Sequence, residues 1–147
     1  MITRTLFNPD HQAFIDGFQR FIEKEIAPFH EAWEAQGYVD RAVWEKAGEH
    51  GFLCMSMPEA YGGSDGDKLF AVAQMEALAA GGFSGVGFGL HSEIVAPYLL
   101  HYGTEEQKQR YLPAMASGQM IGAIAMTEPG TGSDLQGIKT TATRDGD

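Results

Sequence analysis

Ala125-Met126-Thr127-Glu128-Pro129-Gly130-Thr131-Gly132-Ser133-Asp134-Leu135-Gln136-Gly137 is the stretch on which the reading of this chain turns. It follows the short apolar run Met120-Ile121-Gly122-Ala123-Ile124-Ala125-Met126, whose bounding turn residues predict a strand. It then bends through Pro129 and glycines, and it carries hydroxyls on Thr127 and Ser133. Gly130 and Gly132 free neighbouring N–H groups, so such a loop can approach an anion closely and donate several hydrogen bonds. A tight inter-strand turn capped by Asp134 fits the same residues. Downstream, Ile138-Lys139-Thr140-Thr141-Ala142-Thr143-Arg144 is Thr-rich and partly alternating, a second predicted strand. Asp145-Gly146 is a hairpin dipeptide with only Asp147 after it. An unfinished hairpin leaves an unpaired edge. The expectation is an N-terminal piece of a longer protein, cut inside a β domain.

Upstream the periodicity is helical. Asn8-Pro9-Asp10 is a helix start, with a cap, a proline in the first turn and an acid facing the dipole. Phe14, Phe18, Phe21, Ile22 and Ile26 share one helical face, and Pro28 ends or kinks the helix near Ala27. A second helical piece holds Phe29 and Trp33 and stops at Gly37. Asp40 caps a third through Val43, Trp44 and Ala47, ending at Gly48 or Gly51. Residues 57–66 have loop chemistry, and 67–80 read as a helix closed by Gly81 and Gly82. Residues 83–102 are apolar, with Gly85, Gly87 and Gly89 near their start. These glycines fit either a ligand-cradling loop or close helix packing. Their spacing excludes G-x-G-x-x-G, since Leu90 stands where a glycine is needed. Thr104-Glu105-Glu106-Gln107 is a capping box for a last helix carrying Tyr111, Leu112 and Met115, which Gly118 ends.

The 147 residues suit one domain, and 44% apolar content with 20% charge marks a folded chain. A formal charge of −10 argues against nucleic-acid partners and an anionic membrane surface. The start Met1-Ile2-Thr3-Arg4 precedes no secretory h-region, and no window is apolar enough to span a membrane, so a reducing cytoplasmic setting is expected. The single cysteine, Cys54, lies in Phe52-Leu53-Cys54-Met55 and reads as a buried, inert thiol. None of the five histidines has metal-ligand spacing, and no G-x-S-x-G elbow exists. No metal site is expected. The acidic residues read as solvated helix faces.

The 125–137 loop resembles the first signature of the acyl-CoA dehydrogenases. Pro58-Glu59-Ala60-Tyr61-Gly62-Gly63 resembles the family's loop after its early helices, and Gly103-Thr104-Glu105-Glu106-Gln107-Lys108 with Tyr111-Leu112-Pro113 resembles a later helical turn. Within the family, Ile121-Gly122-Ala123-Ile124-Ala125-Met126-Thr127-Glu128, Trp33-Glu34 and Val43-Trp44-Glu45-Lys46-Ala47-Gly48 look most like the long-chain branch.

The resemblance implies a mainly α fold. Residues 1–118 would form the N-terminal helical-bundle domain, and 119–147 the opening strand and loop of an incomplete central β domain. It implies an FAD enzyme that dehydrogenates medium-to-long or branched acyl-CoA to 2-enoyl-CoA and passes electrons to an electron-transfer flavoprotein. A homotetramer or homodimer is expected, with the mitochondrial matrix as the compartment in a eukaryote. Ile124, Met126, Thr127, Gly132 and Ser133 would border the flavin. Ser133 would also lie near the thioester, and Leu90, His91 and Ile94 would fall on the acyl-pocket helix. Ordinary helix packing remains open for those three. No catalytic residue is expected within these residues, because the family's base lies in a C-terminal bundle; Glu128 belongs to the turn. Two other readings remain: a non-catalytic helical interaction module, and a flavin-dependent oxidase or monooxygenase on the same fold.

Overall fold

In the computed structural model, which describes residues 5–146, Asn8 opens the first helix. Its Oδ1 accepts from His11 N at 2.9 Å, and its own N–H donates to His11 Nδ1 at 3.2 Å. Two donors that a helix start would otherwise orphan are thereby satisfied. Helix α1 (Pro9–Phe21) continues into a π-helical turn, Ile22–Ile26. Pro28, which has no N–H to offer, separates that turn from α2 (His30–Gln36), and Gly37 ends α2 at φ +85°. Asp40 precedes α3 (Arg41–Glu49), but its side chain does not make the cap that its position predicts. The carboxylate accepts from Gln36 Nε2 at 3.1 Å instead.

Asp67 does cap its helix, α4 (Lys68–Ala80), accepting from Leu69 N at 2.9 Å. The helix expected from residue 83 begins only at Phe88. Short α5 (Phe88–Leu90) passes through a second π-helical turn, His91–Val95, into α6 (Ala96–Tyr102). Gly85 and Gly87 therefore precede the helix. The Thr104–Gln107 box forms and starts α7 (Glu105–Ala116). Gly118, at φ +75°, turns the chain away.

The buried face of α1 meets Phe52 edge-on, with ring centroids 5.0 Å apart for Phe18 and 5.2 Å for Phe21. Around them pack Ile26, Trp33, Trp44, Leu78 and Phe88, all buried. Burying one such aromatic side chain stabilises by about 1.5–3 kcal/mol. A second cluster joins Cys54, Met57, Ala96, Leu112 and Met115. His11, 2% exposed, links α1 to the start of α4 through Asp67 Oδ1 at 2.9 Å. That hydrogen bond holds the Asp67 carboxyl below its usual range. α3 and the end of α7 approach closely: a Cβ on Gly48 would lie 2.7 Å from Ser117 Cα.

The chain is mainly α-helical, as its periodicity predicts. The two predicted strands, 120–126 and 138–144, do not form. Among the described residues the only bridge is between Glu128 and Thr131. A strand exists through hydrogen bonds to a neighbouring strand, and neither run finds one among the described residues. Met120, Ile121, Ile124 and Met126 consequently stay 36–38% exposed. The expectations for Met1-Ile2-Thr3-Arg4 and for Asp147 lie outside the described residues. No helix among the described residues is long and apolar enough to cross a membrane.

Candidate functional site

Glu128 and Thr131 exchange two backbone hydrogen bonds, each 3.0 Å, closing Glu128-Pro129-Gly130-Thr131 into a tight turn. Asp134 accepts from Gln136 N at 3.2 Å and starts a 3-10 turn, Leu135–Gly137. The Glu128 carboxylate reaches across the loop to Lys139 N at 2.9 Å, Thr140 N at 2.7 Å and the Thr140 hydroxyl. These donors, the Thr140 hydroxyl first, hold its carboxyl below the usual range. Glu128 is thus a strut of the loop: a tight turn forms at Glu128–Thr131 without flanking strands, and Asp134 caps the separate 3-10 turn that follows.

The same fold leaves another side of the loop open. Thr127, Gly132 and Ser133 are exposed. Among the described residues, the Thr127 and Ser133 hydroxyls have no hydrogen-bond partner, nor do the N–H groups of Gly130, Gly132 and Ser133. A Cβ on Gly130 or Gly132 would meet nothing within 4 Å. Ile124 and Met126 lead into this patch, exposed at 36% and 37%. The loop therefore combines a tight turn with a face of uncommitted donors. Such a face suits an anionic or carbonyl-rich ligand.

The other residues singled out by sequence lie on the α5–α6 helix. Leu90 is 42% exposed and lines a groove of about 540 Å³ with Met75, Leu78, Phe83 and Val86. Gly89 lines it too, and a Cβ there would lie 3.5 Å from Met75 Sδ. Ile94, 43% exposed, borders a smaller groove with Tyr98 and Tyr102. His91 is placed differently: it is fully buried, and burial pushes its pKa down. Its Nδ1 accepts from Gly122 N at 2.9 Å, and its Nε2 lies 3.1 Å from Met115 O.

Beside His91 is a feature that sequence reasoning missed. Cys54 adopts φ +53°, a left-handed conformation unusual outside glycine, and its N–H donates to Ser92 Oγ at 3.0 Å. No turn residue signals this. Cys54 is buried, as its apolar neighbours predict, and burial pushes its thiol pKa up to about 11.

Residues 8–119 match the family described as acyl-CoA dehydrogenase, N-terminal domain. The chain is 47% identical over 143 residues to the long-chain specific mitochondrial acyl-CoA dehydrogenase of Rattus norvegicus, covering 97% of this chain and 33% of that protein. An acyl-CoA dehydrogenase of Geobacillus kaustophilus has a similar structure, with a TM-score of 0.91 at 49% identity, over 99% of this chain and 38% of that one. Another from Bacillus anthracis, solved in complex with FAD, gives a TM-score of 0.83 at 35% identity, over 94% of this chain and 24% of that one. The chain spans about a third of the length of the curated relatives it matches.

Proposed function

The chain belongs to the acyl-CoA dehydrogenase family, and from that premise we propose that it is the N-terminal part of an FAD-dependent enzyme that converts long-chain acyl-CoA to 2-enoyl-CoA. In this reading residues 1–118 are the helical domain, and 119–147 open the flavin-binding β domain. The observation that carries it is the open donor face of the 127–133 loop, whose hydroxyls and N–H groups lack partners among the described residues. FAD, when bound, supplies the acceptor for the hydride leaving the β-carbon.

The residues present fit such a group. The Thr127 hydroxyl and the Met126 backbone would meet the pyrimidine edge of the flavin, with Ile124 against the ring. Gly132 N–H and Ser133 would reach toward the pyrophosphate, and Ser133 would stand near the thioester. Leu90 and Ile94 offer exposed apolar surface to an acyl chain, whereas His91 on the same helix is buried. No residue of this chain is assigned the α-proton. Glu128 is engaged by three donors, and the family resemblance implies that the base lies in a C-terminal bundle, outside these residues. Electrons would pass to an electron-transfer flavoprotein. The working form would be a homodimer or homotetramer in the cytoplasm, or in the mitochondrial matrix of a eukaryote.

A chimera tests this reading. Residues 1–147 replace the equivalent segment of the Geobacillus kaustophilus enzyme. A control chimera keeps that enzyme's own loop at 124–137. The expected result is that both purify with flavin, and that long-chain acyl-CoA bleaches it under anaerobic conditions. Flavin held by the control and lost only with this chain's loop contradicts the proposal.

A further inference from the structure

We propose that His91 is a positioning residue: by accepting the Gly122 N–H at Nδ1, it sets where the segment leading into the 127–133 loop leaves the helical domain. Only its consequence for a flavin rests on the preceding reading; the anchoring itself stands on geometry. Met115 O is purely an acceptor and lies 3.1 Å from Nε2, so Nε2 carries the proton. Gly122 N–H is purely a donor and lies 2.9 Å from Nδ1, so Nδ1 presents its lone pair. One neutral tautomer satisfies both partners. The ring is fully buried, with the Trp44 ring packed edge-on at 5.3 Å, so it cannot turn aside.

The segment is seated closely on this ring. A Cβ on Gly122 would lie 2.8 Å from Val95 Cγ1 and 2.9 Å from Met115 Cε. Upstream, Met120 N donates to Ala114 O at 2.9 Å, and Arg41 donates to Gln119 O. Downstream, no backbone N–H from residue 123 to 127 has a partner among the described residues. Gly122 is therefore the last tether before the loop.

Protonating Nδ1 would set a donor against a donor and break the tether. Burial opposes that protonation by holding the ring's pKa below its usual value. Met115 O, accepting from Nε2, favours the cation, but burial is the larger effect. Cys54 Sγ, 3.7 Å from Nε2, is a neutral thiol with its pKa pushed up to about 11. Residues 119–126 contribute no charge, nor do Met115 and Trp44. Glu93, on the same π-helical turn, is paired with Lys68 at 2.7 Å. Because the folded pKa is lowered, the tether is intact above the ordinary histidine range, near about 6.5, and is lost as pH falls through the lowered value.

The test is amide exchange by NMR on residues 1–147, comparing wild type with His91→Phe and His91→Asn. Phe keeps the ring volume without an acceptor, whereas Asn places Oδ1 near the Nδ1 position. Gly122 should exchange roughly fivefold to tenfold faster in His91→Phe, the range expected for one hydrogen bond. His91→Asn should restore most of the protection, and α1 and α4 amides should be unchanged in both. In wild type, Gly122 protection should fall with the ring-nitrogen shifts that report protonation, while Met120 stays protected. Equal Gly122 exchange in wild type and His91→Phe, with α1 and α4 intact, overturns the proposal. If His91→Phe does not fold, the wild-type titration decides: Gly122 protection that ignores ring protonation overturns it. The flavin-retention chimera is independent of either outcome.

Discussion

Two helical glycines should respond to alanine with opposite signs. Gly17 lies within α1, and a Cβ there would find only Arg20 Nη2, at 3.9 Å. Gly17→Ala should therefore show the usual helix gain, about 0.5–1 kcal/mol. Gly48 lies within α3, and its Cβ would sit 2.7 Å from Ser117 Cα and closer still to the Ser117 carbonyl. Those are backbone atoms, so no side chain can swing clear. Overpacking of this kind costs about 1–3 kcal/mol, which outweighs the propensity gain and leaves Gly48→Ala destabilised by about 1–2 kcal/mol. A domain of this size shifts by roughly 2–4 °C per kcal/mol, so the two variants should melt about 3–12 °C apart. Thermal and urea unfolding monitored by far-UV circular dichroism measure the gap. A Gly48→Ala protein as stable as Gly17→Ala would refute the close approach of α3 to the end of α7.

In the flavin-loaded enzyme, Ser133→Ala should weaken FAD retention about tenfold to a hundredfold, since a hydrogen bond to a charged group contributes about 1.5–3 kcal/mol; dialysis against apo-protein measures it. Thr127→Val should shift the flavin spectrum or potential more than FAD affinity, and should leave deuterium uptake at the substrate α-carbon intact. The Glu128 carboxyl has a lowered folded pKa, so its bonds to Lys139 and Thr140 should hold above the ordinary carboxylate range and be released as pH falls through the lowered value. Exchange of those two amides between pH 7 and pH 3 checks this, with Glu128→Ala losing both bonds at neutral pH and Glu128→Gln, the neutral isostere with a single accepting oxygen, keeping one of them. Cys54, buried with its pKa near 11, should resist thiol reagents in the native chain and react once denaturant is added.

The helices were readable because their signals are local. Asn8, Asp67, Thr104 and Gly37 act through hydrogen bonds or backbone angles within four residues of themselves. Asp40 has the same chemistry, yet the nearby Gln36 amide draws its carboxylate away, a competition that cap rules do not weigh. The strands at 120–126 and 138–144 carried β-like patterns without a partner to pair with among the described residues. The loop's donors were legible, since Thr127, Ser133 and the glycines are all local. Resemblance alone puts His91 on an acyl-pocket helix. That its ring points into the core fits helical spacing from Phe88, with Ser92 and Ala96 buried on the same face; its partners Gly122 and Met115 lie far off in sequence and leave no local mark. The left-handed Cys54 is equally silent, because it depends on Ser92 from a distant helix.

The most direct measurement is an anaerobic titration of the full-length, FAD-loaded enzyme with acyl-CoA thioesters of graded chain length. The proposed function predicts that about one equivalent of a long-chain acyl-CoA bleaches the oxidised flavin without oxygen, yielding the 2-enoyl-CoA, with short chains less effective. Flavin that every acyl-CoA leaves oxidised, or a product that forms only with oxygen and carries an added oxygen atom, would contradict it.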